Sequence, residues 1–271
     1  MQEPVSPIQI TLPVRQLVEF LRRVGSIDNR FTGFDRANEG ARIHRKLQRA
    51  AVKEHADYAA EVFLRGIFAY EEIEFTLEGR ADGIFTAADG VTVVDEIKTT
   101  ACPAADITPD FAPEHWAQAI VYAAIYAAQH ELEEMRVQLT YFQVDEELIL
   151  RFERHYTAQQ LQEEVEALLA EYAPWARRAV EWKKARNSDL QAMQFPFPAY
   201  RPGQRAMAGE VYKVCRDGGQ LLCQAPTGIG KSMSVLFPAL KSMGNERVGP
   251  IFYLTARGTC LLYTSPSPRD R

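Results

Sequence analysis

The run Val91–Lys98, VTVVDEIK, ends in an acid and a lysine two positions apart. Side chains two apart on a strand face the same way, so Glu96 and Lys98 share a face while Asp95 points to the other side with Val93 and Ile97. Alternation therefore selects Glu96 as the working acid. Asp82 follows Gly79 on the preceding strand, where it can meet Glu96 across the hairpin. Two carboxylates converging beside a lysine make a hard, oxygen-rich pocket suited to Mg²⁺ or Mn²⁺. Such a cation polarises a phosphodiester and acidifies a bound water, while Lys98 orients the nucleophile or neutralises developing charge. An isolated E-x-K pair is more often a surface salt bridge, so the assignment depends on its company.

A second constellation lies far downstream. Ala225–Ser232 reads APTGIGKS and fits G-x-x-x-x-G-K-[ST] except that Ala225 stands at the first glycine. The expectation is a phosphate cradle: Thr227, Gly228 and Gly230 turn backbone N–H groups onto phosphate oxygens, Lys231 reaches the terminal phosphates, and the Ser232 hydroxyl ligates Mg²⁺. A short apolar strand, Leu221–Cys223, is expected before the loop. Ser232–Met243 reads as the helix whose N-terminus faces the phosphates.

The elements that position these residues can be read from periodicity. Leu12–Arg23 and Asn38–Lys53 have helical spacing of apolar residues. From Ile67 to Thr99 the pattern changes to alternation rich in β-branched and aromatic residues, broken at Gly79 and at Asp89–Gly90, which predicts two or three antiparallel strands. Pro113 starts a helix to about His130, apolar almost all round and so expected to be buried. Arg136–Val144 and Leu148–Phe152 read as another strand pair. Thr157 caps a long helix that Pro174 is expected to interrupt before a basic continuation. The proline-rich FPFPAYRP, Phe195–Pro202, marks the entrance to a second domain, with the boundary near Asn187.

Composition excludes several classes. Hydrophobic residues make up 46% and charged residues 25% of 271, and no apolar run approaches the ~18 residues of a membrane span. MQEPVSPIQI lacks a basic stretch followed by an apolar core, so no signal peptide is expected and a cytoplasmic address follows. Cys102, Cys215, Cys223 and Cys260 form no C-x-x-C pair, which argues against a zinc ribbon or disulfide framework. The formal charge is -5, yet residues 15–53 hold ten Lys or Arg against four acids. A basic segment inside an acidic protein is the footprint of phosphate contact, though a solvated helix face has the same composition.

Taken together, GARIH with His44, GRADGIF with Asp82, EIKTT from Glu96, and QAIVY with Gln118 and Tyr122 resemble the RecB-type branch of the PD-(D/E)XK nucleases over roughly residues 8–155. The resemblance implies a restriction-endonuclease-like α/β fold, a mixed sheet flanked by helices. It implies that His44, Asp82 and Glu96 bind metal, that Lys98 is catalytic, and that Gln118 and Tyr122 contact the active site and DNA. Those two are i, i+4 on one helix face. Some members carry an iron–sulfur cluster held by one cysteine before and three after the catalytic strand. No cysteine precedes Glu96 here, so a cluster in this domain is not expected.

Residues 195–260 resemble the start of DinG and XPD-like superfamily two DNA helicases. Tyr200, Arg201 and Gln204 match the segment that reads adenine, PTGIGKS the nucleotide loop, and YLTARGT, with Thr255 and Arg257, a motif that contacts single-stranded DNA. The resemblance implies ATP as ligand and an incomplete RecA-like P-loop domain. The acid box and arginine finger that hydrolysis needs do not follow, so hydrolysis by this chain is not expected; a 4Fe-4S cluster would belong to the missing helicase part. LLYTSPSPRDR leaves the pattern abruptly and reads as adapter or vector sequence. The expected organisation is a nuclease domain over 1–155, a helical connector over 156–190, a helicase fragment over 191–260 and a non-native tail over 261–271. An inactive nuclease-like module that only binds DNA for the motor is the competing reading.

Overall fold

The computed structural model describes residues 7–23 and 33–254, with the side chains of 33–37 left undescribed. Thr255, Arg257, Cys260 and the 261–271 tail, all named above, lie outside the described residues. The chain divides into two compact units, Met1–Ala176 and Arg177–Arg271.

In the first unit, strand β1 (Ile8–Pro13) leads into helix α1 (Val14–Arg22), and helix α2 (Gly33–Glu54) precedes strands β2 (Ala59–Tyr70), β3 (Ile73–Thr86) and β4 (Thr92–Thr100). Helix α3 (Pro113–His130) crosses to β5 (Glu134–Gln143) and β6 (Leu148–Thr157). The sheet order is β1-β3-β4-β5-β6, with β2 paired to β3. β1–β3 and β4–β5 are parallel; β2–β3, β3–β4 and β5–β6 are antiparallel. The mixed sheet and flanking helices agree with the expected α/β class. β1 and both parallel pairings were not anticipated from the sequence.

On one edge of β3, residues Ile73–Glu78 pair with β1 and Gly83–Thr86 pair with β4. The stretch Gly79–Asp82 between them is paired with neither, so the sheet opens there, at Asp82.

Helices cover the sheet unequally. Leu17 and Val18 of α1 join Trp116, Val121 and Ile125 of α3 and Phe75, Val94 and Leu139 of the sheet in the main core. α2 covers the opposite face, with Ile43 and Leu47 on Ile97 and Phe142. α3 is buried nearly all round, from Trp116 to Ala127, because it lies between the sheet and α1. Fully burying each such aliphatic side chain contributes roughly 1.5–3 kcal/mol.

Helix α4 runs from Ala158 to Ala192 without a break at Pro174, contrary to the expected interruption. Proline removes one backbone hydrogen bond, but Leu168, Leu169, Ala173 and Ala176 are buried on both sides of it and packing holds the helix together. Its start is a reciprocal cap: Gln160 N–H donates to Thr157 Oγ1 at 3.2 Å and Thr157 N–H to Gln160 Oε1 at 2.9 Å. In the second unit, α5 (Gln204–Asp217) and α6 (Lys231–Gly244) follow.

The strand expected at Leu221–Cys223 is not formed, and Leu222 is 100% exposed. A strand needs a neighbour to satisfy its backbone, and no residue described after Thr157 is in a strand. None of the described helices is long and apolar enough to cross a membrane.

Candidate active site

β4 delivers Glu96 and Lys98 to the face covered by α3, and α3 closes over them. Lys98 Nζ lies 2.7 Å from Glu96 Oε1 and donates to Gln118 Oε1 at 3.1 Å. Tyr122 lies one turn after Gln118 on the same face of α3. Tyr122 packs so closely on β3 that a Cβ at Gly79 would overlap its hydroxyl. A side chain there would require the Tyr122 ring to shift. Asp95 points the other way, where its Oδ1 accepts from Thr140 Oγ1 at 2.6 Å and Gln138 Nε2 at 2.9 Å.

Asp82 reaches the same place from β3. The register Gly83↔Asp95 ends the β3–β4 ladder, and one step further Asp82 Oδ2 accepts the Ile97 N–H at 2.8 Å. His44, on the inward side of α2, has Nδ1 3.5 Å from Asp82 Oδ1. Lys98 thus joins Glu96 to Gln118, and Asp82 joins His44 to the backbone of β4; the two sets adjoin closely enough for the charge of Asp82 to act on Glu96.

Electrostatics concentrate on Glu96. Its side chain is 2% exposed, and Oε2 is buried with no hydrogen-bond partner. Burial pushes its carboxyl up to about 7, with Lys98 opposing and Asp82 adding to the shift. His44 is raised by its hydrogen bond to Asp82, against desolvation. His115 of α3 is pushed down to about 3 by burial and by the charges of Lys98 and Arg15, so it stays neutral and bonds Tyr141 Oη through Nδ1 at 2.9 Å. Arg15 of α1 lies near enough to feel the charge of Glu96. The sequence singled out neither His115 nor the local part of Arg15; a histidine three residues before Gln118, on the same helix face, was the available signal.

A profile of the PD-(D/E)XK nuclease superfamily matches residues 14–201. The chain belongs to that superfamily. PD-(D/E)XK nucleases generally use Mg²⁺ or Mn²⁺, and the donor set can be tested against that. Among the described residues no three His, Cys, Asp or Glu side chains are grouped to hold a metal by themselves. Mg²⁺ needs only one or two carboxylates, its other positions being filled by water and substrate phosphate. Asp82 and Glu96 are the two carboxylates at hand, and Glu96 Oε2 is a buried oxygen without a hydrogen-bond partner, a demand that a cation would satisfy. The residues fit.

Two further likenesses are more distant. A probable ATP-dependent helicase of Methanocaldococcus jannaschii is 38% identical over 47 residues, which span 17% of this chain and 7% of that protein. The crystal structure of SSO0001 aligns at TM-score 0.39 and 17% identity, covering 63% of this chain and 78% of that one.

In the second unit, Gly228 and Gly230 adopt φ of 83° and 86°, a backbone that glycine permits without strain. Lys231 opens α6 and donates to Ala225 O at 3.1 Å and Pro226 O at 3.0 Å. Arg201 Nη1 donates to Gly228 O. Gln204 is 3% exposed; it accepts from Arg201 N–H at 2.9 Å and donates to Gly230 O at 3.2 Å. Its amide ties α5 to the loop. Thr227 is exposed, and Ser232 Oγ accepts from Tyr253 Oη at 3.2 Å.

Proposed function

We propose that the first unit is a metal-dependent deoxyribonuclease in which Asp82 and Glu96, with His44 beside them, hold Mg²⁺ or Mn²⁺. The observation that carries this is Glu96: a buried carboxylate with one oxygen on Lys98 and the other without a partner. When bound, the cation supplies positive charge to the scissile phosphate and lowers the pKa of a water. Glu96 would hold the cation as its carboxylate, with Lys98 on its other oxygen. Lys98, fixed by Glu96 and Gln118, orients the attacking water or neutralises charge developing on phosphate. Tyr122 and Gln118 keep α3 seated over β4; both are buried, so the direct DNA contact expected of them gives way to a role in holding Lys98.

The exposed face of α2 supports a nucleic-acid substrate. Arg42, Arg45, Lys46, Arg49 and Lys53 lie on its outer side, while Ile43, Leu47 and Gln48 turn inward. Their spacing places the cations along one side of the helix that carries His44, a rail for phosphates.

Residues 195–260 are the proposed opening of a DinG and XPD-like helicase motor that binds ATP at Ala225–Ser232. The loop glycines with positive φ, the helix starting at Lys231 and the short likeness to a probable helicase support this. The combined enzyme would be a cytoplasmic DNA-processing or repair hydrolase.

The deciding experiment is cleavage of labelled single-stranded DNA with Mn²⁺ by the chain and by Glu96→Ala. Activity lost in the variant supports the nuclease. Equal signals from the two proteins reject it, and DNA binding without cleavage by either favours a module that only holds DNA.

A further inference from the structure

The β2–β3 ladder is regular on both sides of one break. Its partners run from Tyr70↔Ile73 to Val62↔Ala81 and resume at Ala60↔Gly83, omitting Glu61 and Asp82. Glu61 lies in the left-handed region at φ 54°, where a residue with a side chain is held only by its surroundings. The strand also turns over here. Ala81 and Ile84 both pack into the main core, although residues three apart on a regular strand face opposite sides. Asp82 is at the turnover, and its carboxylate is freed from simple alternation to reach the Ile97 N–H.

The break removes Glu61 as a ladder partner for the Asp82 backbone, and one side chain fills the gap. Gln48 Nε2 donates to Asp82 O at 2.9 Å and to Glu61 Oε1 at 3.1 Å. Gln48 is 6% exposed and sits one helical turn after His44, so α2 grips Asp82 twice, at its carbonyl and at its carboxylate. The strand is also wedged from both faces: a Cβ at Gly79 would strike Tyr122, and one at Gly83 would strike the Tyr58 hydroxyl.

We propose that Gln48 is a positioning residue for the metal-binding carboxylate of Asp82. By donating to the Asp82 carbonyl and to Glu61 it maintains the broken ladder, and the broken ladder aims Asp82 at the cation. The inference rests on the metal-dependent reading above. Its chemistry requires a donor at position 48, because both groups it meets there are acceptors. Bulk alone does not suffice.

The test measures Mn²⁺ binding directly, by the loss of the free-ion electron paramagnetic resonance signal, on the full chain and four variants. Gln48→Leu keeps approximate volume and removes the donor. Gln48→Met is a second such variant, judged by the same criterion. Leu161→Ala, in the α4 core, lowers the melting temperature without touching the site, and Glu96→Ala defines the metal site itself.

The expected result is Mn²⁺ affinity about 10- to 100-fold weaker in the Gln48 variants, as for other groups that orient metal ligands. Leu161→Ala should keep the parent affinity. In cleavage assays the Gln48 variants need correspondingly more Mn²⁺ for half-maximal rate and recover at saturating metal, with KM for DNA unchanged. Parent-like affinity in the Gln48 variants, or an equal loss in Leu161→Ala, overturns the proposal while leaving the nuclease reading intact. Parent-like Mn²⁺ binding by Glu96→Ala overturns both.

Discussion

The two motif-bearing regions of this chain are built by opposite means. The constellation of Asp82, Glu96 and Lys98 is embedded: the acids and the lysine come from adjoining strands, α2 holds Asp82, Gln118 of α3 holds Lys98, and Lys98 in turn holds Glu96. The loop Ala225–Ser232 is local. Its shape comes from glycine torsions and from Lys231, Arg201 and Gln204 bonding to its own carbonyls, and the segment before it forms no strand. An embedded site gains perturbed electrostatics from its burial, whereas a local loop keeps its groups near water.

The largest expected effect separates the regions outright. Glu96→Ala or Asp82→Ala should reduce Mn²⁺-dependent DNA cleavage by roughly 10³-fold or more, the scale on which loss of preorganised charge stabilisation is felt, and leave binding of a fluorescent ATP analogue unchanged. Lys231→Ala should do the converse. If either substitution moved both readouts, the two regions would not be functionally independent.

Next comes close packing. Gly83→Ala would drive a methyl group into the Tyr58 hydroxyl, and overpacking of this kind costs about 1–3 kcal/mol. Gly209→Ala, on α5 with open space where the new methyl would stand, should instead be neutral or slightly stabilising, because alanine is the better helix former. Urea denaturation of both variants measures the contrast.

A pH effect of similar or smaller size follows from Glu96. Its carboxyl is raised from 4.5 to about 7, chiefly by burial. The folded chain therefore holds this proton more tightly than the unfolded chain does, so stability falls as pH rises between the two values and this contribution is fully lost above the upper one. Glu96→Gln without metal should melt higher than the parent at about pH 8, by the equivalent of about 1–3 kcal/mol, and match it at about pH 4. No such crossover is expected for Lys231→Ala.

The smallest effect tests the rail on α2. Arg45→Ala with Arg49→Ala should make the salt dependence of single-strand binding shallower by about 0.7 for each phosphate that is no longer neutralised. Binding titrations at several salt concentrations give the slope, and an unchanged slope would make the basic face merely solvated.

Legibility followed the same division. Strand alternation placed Glu96 and Lys98 together and turned Asp95 away, because period-two geometry is a property of the strand alone. The bounds of α3 were readable because Pro113 starts it and its apolar run is uninterrupted. β1 was lost to the helix beside it: Ile8, Ile10 and Leu12 alternate, but the run is short and its parallel partner lies far along the chain. Gln48 and the break at Glu61 were invisible, since nothing local marks a glutamic acid for a positive φ. Leu221–Cys223 has the composition of a strand, but composition does not supply neighbours.

The opening of the sheet at Gly79–Asp82 also has a consequence for the order of assembly. β2, β3 and β4 follow one another along the chain and pair as neighbours, while β1 must join β3 across a separation of 65 residues, as between Gln9 and Glu74. Closing that loop costs entropy before it returns contacts. The late-joining strand is thus the one that completes one bank of the opening, while Asp82, Glu96 and Lys98 belong to the early meander. Amide exchange in β1 should accordingly be faster than in β4, and β1 can fray while the acids and the lysine remain in place.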